Sequence, residues 1–398
     1  MNGVQVIDNP IRPADSIVAE SQPTGSVRAQ ADGKSASRFA FVDGLRGIAA
    51  LGIVIFHIWW YEPQPQPAIE TVHWTVDAAV MQTRGGVQIL LVISGFVIAF
   101  TLRHVWFTPS EANLFLARRV VRLVPAYWTA IAIVLLVDAL CRGPARLPSP
   151  FDGAATIPRT VAHMAFLQDI TGQEAIGAGM WTLCIEMQFY IVAIIGWGVA
   201  QHLFPRPVDG EPRPSPWALF LVFAPPALVS LFYWRLLDST TAWVTHFFWM
   251  FFLGMVTWWT LDRSLPSSVF ALVVAIAVVE LVFNVEWRNY NGMALGTAVA
   301  IYVAGRLHRL HAWLNWLPLQ YLGRVSYSLY LIHFPVCHLV TAIGWKMCNN
   351  LPTPQQALLI LLSAIPASLL AAHVLYRFVE TPSARWSARM KQFSVARA

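Results

Sequence analysis

The sequence predicts an all-α protein: a polytopic membrane helix bundle of about ten transmembrane helices, with both termini in the cytoplasm. Three observations predict it. Only 12% of the 398 residues are charged and 57% are hydrophobic, with mean hydropathy +0.54. A soluble domain carries about 25% charged residues, and a lipid solvent is what removes the need for a polar surface. Ten apolar runs approach the roughly 20 residues a helix needs to cross a bilayer at about 1.5 Å per residue. Finally, Lys and Arg gather in the alternate segments that ten spans place on one side.

Residues 1–40 hold Pro, Ser, Gly, Gln and scattered charge with no apolar run. They predict a disordered cytoplasmic tail, and they lack the apolar core of a signal peptide. The spans then fall at about 41–61, 86–102, 120–140, 180–201, 217–236, 243–261, 268–284, 291–305, 323–346 and 357–379. Short loops join most of them, so residues 41–382 read as one membrane domain and 383–398 as a basic cytoplasmic tail. The stretch 155–170 is semi-apolar but carries Arg159, His163 and Asp169. It reads as an interfacial or re-entrant piece of a long loop. With the N-terminus inside, the cytoplasmic segments hold sixteen Lys and Arg, among them Arg103, Arg118, Arg119, Arg385 and Arg389. The outer loops hold five: Arg84, Arg142, Arg146, Arg159 and Arg288. Positive charge stays inside, so both ends are assigned to the cytoplasm. The net charge of +6 reflects that asymmetry; the bilayer is the partner it implies, and nucleic acid is not. The four cysteines show no CxxC spacing, so neither a metal site nor a disulfide is expected.

Charge inside a membrane costs at least about 2.5–3.5 kcal/mol per residue, so each buried ionisable group is a functional candidate. The first span places Arg46 near its inner end and His57 near its outer end, eleven residues on. That is roughly 16 Å of helix, about half a bilayer, so both can line one path. His57 also fits a core or interfacial histidine beside Trp59 and Trp60. In the fourth span Glu186 sits at nearly the depth of His57, as a general-base pair would require; a structural pair between packed helices fits as well. Arg118, Arg119 and Arg122 mark the inner mouth of the third span. Arg118 reads as an anchor, whereas Arg119 and Arg122, three apart, share a face and can fork a phosphate. Ser94 and Gly95 lie mid-membrane, suiting either close helix packing or room for a ligand tail. The ninth span stacks Ser326, Tyr327, Tyr330 and His333 on one face, which makes His333 an interior hydrogen-bonding group. His338 and His373 read as structural, and Glu380 as an ion-pair clasp near Arg377 and Arg46.

The segments DGLRGIAALGIVIFH (43–57), GGVQILLVISGF (85–96), RRVVRLVPAYW (118–128), WTLCIEMQFY (181–190), YLGRVSYSLYLIH (321–333) and VETP (379–382) occur in one order. Together they resemble the acyltransferase-3 family, membrane enzymes that O-acylate carbohydrates and other acceptors. The resemblance implies an acyl-CoA co-substrate, commonly acetyl-CoA, entering from the cytoplasm, with no metal. It further implies a carbohydrate or lipid-linked saccharide acceptor at the outer face, and residence in the bacterial cytoplasmic (inner) membrane. It supports His57, Arg46 and Glu186 as catalytic, and Arg119 and Arg122 as donor-binding. Beside these, Ser94, Gly95 and Tyr127 are expected to bind the donor, and Trp181, Tyr330 and His333 the acceptor. Two positions depart from the family pattern. Gln88, Ile89 and Leu90 replace an acidic or His residue followed by aromatics, and Met187 replaces a second Glu. The sixteen or so residues after VETP lead us to expect the stand-alone form, without a fused periplasmic hydrolase-like domain. The expected chemistry is direct attack of an acceptor hydroxyl, deprotonated by a Glu186-oriented His57, on the thioester. A covalent acyl-enzyme through histidine or serine also fits these residues. The rival reading is a transporter or flippase using Arg46, Glu186 and His57 as a proton relay, but the first motif does not recur in the second half.

Overall fold

The computed structural model describes residues 39–60, 66–70, 72–204, 214–233, 242–283 and 288–395, and the predicted N-terminal tail lies outside them. Among the described residues the regular structure is entirely helical. The helices are α1 (Ala40–Trp60), α2 (Gln66–Ile69), α3 (Trp74–Gln82), α4 (Gly86–Leu102), α5 (Pro109–Leu140), α6 (Ile157–Met164) and α7 (Met180–Leu203). They continue with α8 (Pro216–Phe232), α9 (Val244–Leu261), α10 (Ser267–Phe283), α11 (Arg288–Arg306), α12 (Leu317–Met347), α13 (Pro354–Leu375) and α14 (Thr381–Val395). Every predicted span falls on one of these helices. Seven helical stretches are long and apolar enough to cross a membrane, with α8 and α10 as shorter apolar helices. The chain is a polytopic helical membrane protein.

Two close helix contacts organise the bundle. Helix α9 is buried on nearly all sides, as expected of a helix apolar all round. It crosses α4 where Gly95 meets the Phe251 carbonyl and Gly254 meets the Val92 carbonyl; a Cβ on either glycine would overlap that backbone. Lipid tails are as apolar as leucine, so helices in a membrane gain contact by approaching closely rather than by escaping solvent. Helices α1 and α12 touch in the same way: a Cβ on Gly47 would stand 2.8 Å from the Gly323 nitrogen. Gly95 thus takes the packing role of its two sequence readings.

Thr108 caps α5, its hydroxyl accepting from the Glu111 N–H at 3.2 Å, and the helix runs unbroken through Pro125. Thr381–Val395 form helix α14, which is tied to α5 reciprocally. Arg118 Nε donates to the Ser387 carbonyl (3.0 Å) and Ser387 Oγ donates to the Arg118 carbonyl (2.8 Å). Between α13 and α14 the chain makes one π-helical turn, Tyr376–Glu380. Such an insertion turns a side chain that α-helical phase would direct elsewhere, and it is frequent at functional sites.

The semi-apolar stretch 155–170 contains the short helix α6 within a cross-braced loop. Arg159, only 4% exposed, donates to the carbonyls of Asp152 (2.7 Å), Glu174 (3.0 Å) and Ala175 (2.8 Å). His163 contacts the Arg159 carbonyl through Nδ1 (2.9 Å), and its Nε2 accepts the Ile176 N–H (3.2 Å). A ring that donates at Nδ1 and accepts at Nε2 is neutral. Burial pushes the His163 imidazole below its ordinary value; the bond to the Arg159 carbonyl opposes this and the Arg159 charge adds to it. The brace is therefore whole at and above the ordinary histidine pKa of about 6.5, and it weakens as the pH falls below that value, where the unfolded loop binds a proton the folded loop refuses. In detergent, proteolytic protection of residues 146–179 should be flat above about pH 7 and should decline in mildly acid buffer; His163→Phe should abolish that dependence.

Candidate active site

The polar residues that α1, α4, α5, α7 and α12 carry into the bundle converge on one cavity of about 130 Å³. Arg46, Ser94, Arg119, Arg122, Glu186, Tyr330 and Glu380 all line it. Arg119 and Arg122 face it together because three residues make nearly one helical turn. Tyr127, five residues beyond Arg122, is turned roughly 140° around the helix. It stacks on Phe166 instead (centroids 4.5 Å apart) and does not line the cavity. Gly95 is likewise absent from the lining, since its face is taken by α9.

The charges in this cavity are not closed on one another. Among the described residues the ion pairs within 4.0 Å are Arg142–Asp138 and Arg159–Glu174, both outside it. Glu186 accepts from the Tyr190 hydroxyl and from Ser94 Oγ (3.3 Å). Glu380, brought inward by the π-helical turn, accepts from Ser328 Oγ at 2.6 Å rather than from an arginine clasp. Arg119 lies over the Tyr190 ring, 4.8 Å from its centroid. Three guanidinium groups therefore face two carboxylates whose lone pairs are engaged by hydroxyls. That arrangement suits an incoming anion, above all a phosphate that guanidinium forks match in shape. Arg118 is spent on α14 and is structural, as its position implied.

A second cavity adjoins the first and shares Val87 and Tyr330 with it as walls. His57, Trp60, Arg84, Gln88, Trp181 and Tyr290 line this one. Of the aromatic residues flagged near the outer face, Trp60 reaches it, while Trp59 donates through Nε1 to Asp77 (2.8 Å). Trp181 packs its ring 5.3 Å from that of Phe247. Tyr330 is pinned between the cavities: its hydroxyl donates to the Gly179 carbonyl (2.7 Å) and lies 2.6 Å from Thr182 Oγ1. Gly179 has φ 84°, a left-handed conformation glycine adopts readily, and a Cβ there would meet the Tyr330 hydroxyl.

The expected pairing of His57 with Glu186 does not form, because equal depth does not put two side chains on facing sides of their helices. Glu186 belongs to the first cavity and His57 to the second. His57 contacts His333 instead, Nδ1 to Nε2 at 3.1 Å, and His333 lies fully buried behind it, lining neither cavity. His338 and His373 hold structural contacts, to the Pro148 carbonyl (2.9 Å) and the Tyr321 hydroxyl (2.7 Å). Four participants escaped the sequence reading. Tyr190 stands four residues from Glu186 and so was legible from spacing, but Thr182, Ser328 and the wall residue Val87 carried no signal.

Residues 39–377 match a family model described as an acyltransferase domain. The chain belongs to the acyltransferase-3 family. Relatives within reach of this family member include the O-acetyltransferase OatA of Staphylococcus aureus, 26% identical over 375 residues, covering 86% of this chain and 56% of the relative. The peptidoglycan O-acetyltransferase OatA of Listeria monocytogenes is 22% identical over 365 residues, covering 86% and 55%. The putative membrane-bound transacylase BcsY of Komagataeibacter xylinus is 26% identical over 318 residues, covering 74% and 72%. The chain thus spans about half the length of its OatA relatives. No solved structure matches it.

The two arginine roles separate experimentally. A charge-assisted hydrogen bond contributes about 1.5–3 kcal/mol, so Arg122→Gln should weaken binding of inorganic pyrophosphate at least about tenfold, read as a smaller ligand-induced rise in Tm. Arg118→Gln should lower the Tm of the free protein and leave the ligand-induced rise intact.

Proposed function

We propose that this acyltransferase moves an acyl group, acetyl in the first instance, from cytoplasmic acyl-CoA to a carbohydrate hydroxyl at the outer face of a bacterial inner membrane. The observation that carries the reading is the pair of adjoining cavities. One is lined by three arginines unpaired with the carboxylates beside them, the other by a histidine among aromatic rings, and Val87 and Tyr330 wall both. In the ten-span, N-in arrangement the arginines lie toward the cytoplasm and His57 toward the outside.

Coenzyme A phosphates dock on Arg119 and Arg122, with Arg46 beside them, and the pantetheine arm extends along Ser94 toward Tyr330. The acceptor enters the second cavity, where Trp60 and Trp181 offer faces for a sugar ring. Gln88 presents there a buried amide oxygen that has no hydrogen-bond partner among the described residues, and a sugar hydroxyl supplies the missing donor. His57 removes the proton from the acceptor hydroxyl as its oxygen attacks the thioester carbonyl. The carbon–sulfur bond then breaks, and the thiolate takes that proton back from the imidazolium to leave as free coenzyme A. Glu186, hydrogen-bonded to Tyr190 and Ser94, shapes the donor channel in this scheme and does not act on the acceptor.

The test is acyl transfer by purified protein in detergent, with labelled acetyl-CoA and a panel of bacterial glycans. Activity without a membrane gradient is expected, as is a loss of at least about 10²-fold in His57→Ala with coenzyme A binding retained. Near-normal turnover by a well-folded His57→Ala protein would exclude the general-base scheme. Failure to turn over any acceptor, together with gradient-driven substrate uptake in vesicles, would favour the proton-relay transporter.

A further inference from the structure

The contact between His57 and His333 has a consequence for which nitrogen of His57 is basic. Both rings bond the carbonyl one helical turn behind them: His57 Nδ1 lies 2.8 Å from the Ile53 oxygen, and His333 Nδ1 lies 3.0 Å from the Leu329 oxygen. A carbonyl oxygen only accepts, so each Nδ1 carries a proton. With both rings neutral, His333 Nε2 then bears a lone pair, and it stands 3.1 Å from the His57 Nδ1–H. One assignment fits all three contacts, with the single Nδ1–H of His57 shared between the Ile53 oxygen and His333 Nε2. The Leu329 carbonyl fixes His333, the Ile53 carbonyl and His333 Nε2 together fix His57, and the basic nitrogen left on His57 is Nε2, on a residue that lines the second cavity.

We propose that His333 is a positioning residue for the acyl-transfer reaction: together with the Ile53 carbonyl it holds the His57 ring in place as the Nδ1–H tautomer and so keeps Nε2 directed to take the acceptor's proton. The inference rests on His57 acting as the base. His333 stands where a serine-protease triad places a carboxylate, which orients its histidine and steadies the imidazolium. A neutral imidazole gives the orientation without bringing a further negative charge into a bilayer-buried site, where charge is expensive. The two glycines at the other end of the same helix pair, Gly47 and Gly323, lie ten residues before His57 and His333 respectively. Equal offsets in the same direction make α1 and α12 parallel neighbours in fixed register. The imidazoles thus meet because the backbones are already held at contact distance nearly three turns below.

Three substitutions separate positioning from packing. Glutamine at 333 carries a carbonyl oxygen about as far out as Nε2, asparagine ends near the position of Nδ1, and phenylalanine keeps the ring without an acceptor. In purified protein, His333→Phe and His333→Asn should each lose kcat on the order of 10²-fold, with KM for acetyl-CoA changed less than about twofold. His333→Gln should recover most of that loss. Equal activity in the Phe and Gln variants, whether high or low, would overturn the proposal, as would better function of Phe than Gln. Independently of turnover, ¹⁵N-histidine NMR of the wild-type protein, with His57→Ala to assign the signal, should show His57 protonated at Nδ1 and bare at Nε2. The opposite tautomer would overturn the proposal even if all variants were poorly folded. An active His57→Ala protein would instead remove the general-base reading on which this role rests.

Discussion

The close approach of α1 and α12 at Gly47 and Gly323 is the constraint from which the geometry around it follows, because no side chain separates the two backbones there. Two parallel helices in contact at one point diverge slowly, so ten residues further along their facing side chains are still within reach of each other. His57 and His333 use that proximity. Tyr330 and Tyr327, on the same stretch of α12, are carried to the Gly179 carbonyl of α7's approach and the Leu123 carbonyl of α5 (2.7 and 2.9 Å). A larger residue at either glycine would therefore disturb several partners of α12 together. The contact of α4 with α9 has the same character, and it fixes Ser94 on the cavity side by committing Gly95 to the other.

The electrostatic design of the first cavity follows from a different economy. Three arginines inside a membrane protein are costly unless their charge is matched, yet the two carboxylates beside them are held by Tyr190, Ser94 and Ser328 rather than by the guanidiniums themselves. Closing those pairs would lower the energy of the empty site and raise the cost of admitting a ligand. Hydroxyl partners satisfy the carboxylates while leaving the positive charge directed into open space. The π-helical turn at Tyr376–Glu380 takes part in this, since it brings Glu380 to Ser328 at the end of a helix whose regular phase would not.

Much of the architecture was legible in the sequence because lipid imposes a length and a composition on each span, and both are local properties. Each apolar run proved to be a helix, and the intramembrane residues Arg46, Arg119, Arg122, Ser94 and Glu186 came together as their cost in lipid suggested. What spacing cannot convey is which helix faces which. Glu186 and His57 have matched depths but different neighbours, and the partner His57 meets is 276 residues away. Tyr127 shares a motif with Arg122, but the helical angle between them turns its ring to Phe166 and away from the cavity. The long loop hid its order because Arg159 and His163 bond backbone carbonyls and amides, which leave no trace in side-chain patterns.

Tyr330 carries a burden of a different sort. Two adjoining hollows in a membrane protein raise the question of leakage, because a continuous file of water across a bilayer dissipates any ion gradient held there. The ring stands where the two hollows abut, and its hydroxyl is held on the Gly179 carbonyl and beside Thr182. The wall between them is thus an aromatic plate with its polar atom already occupied, a poor relay for ions or protons. The residue that borders both compartments is thus also the one that parts them.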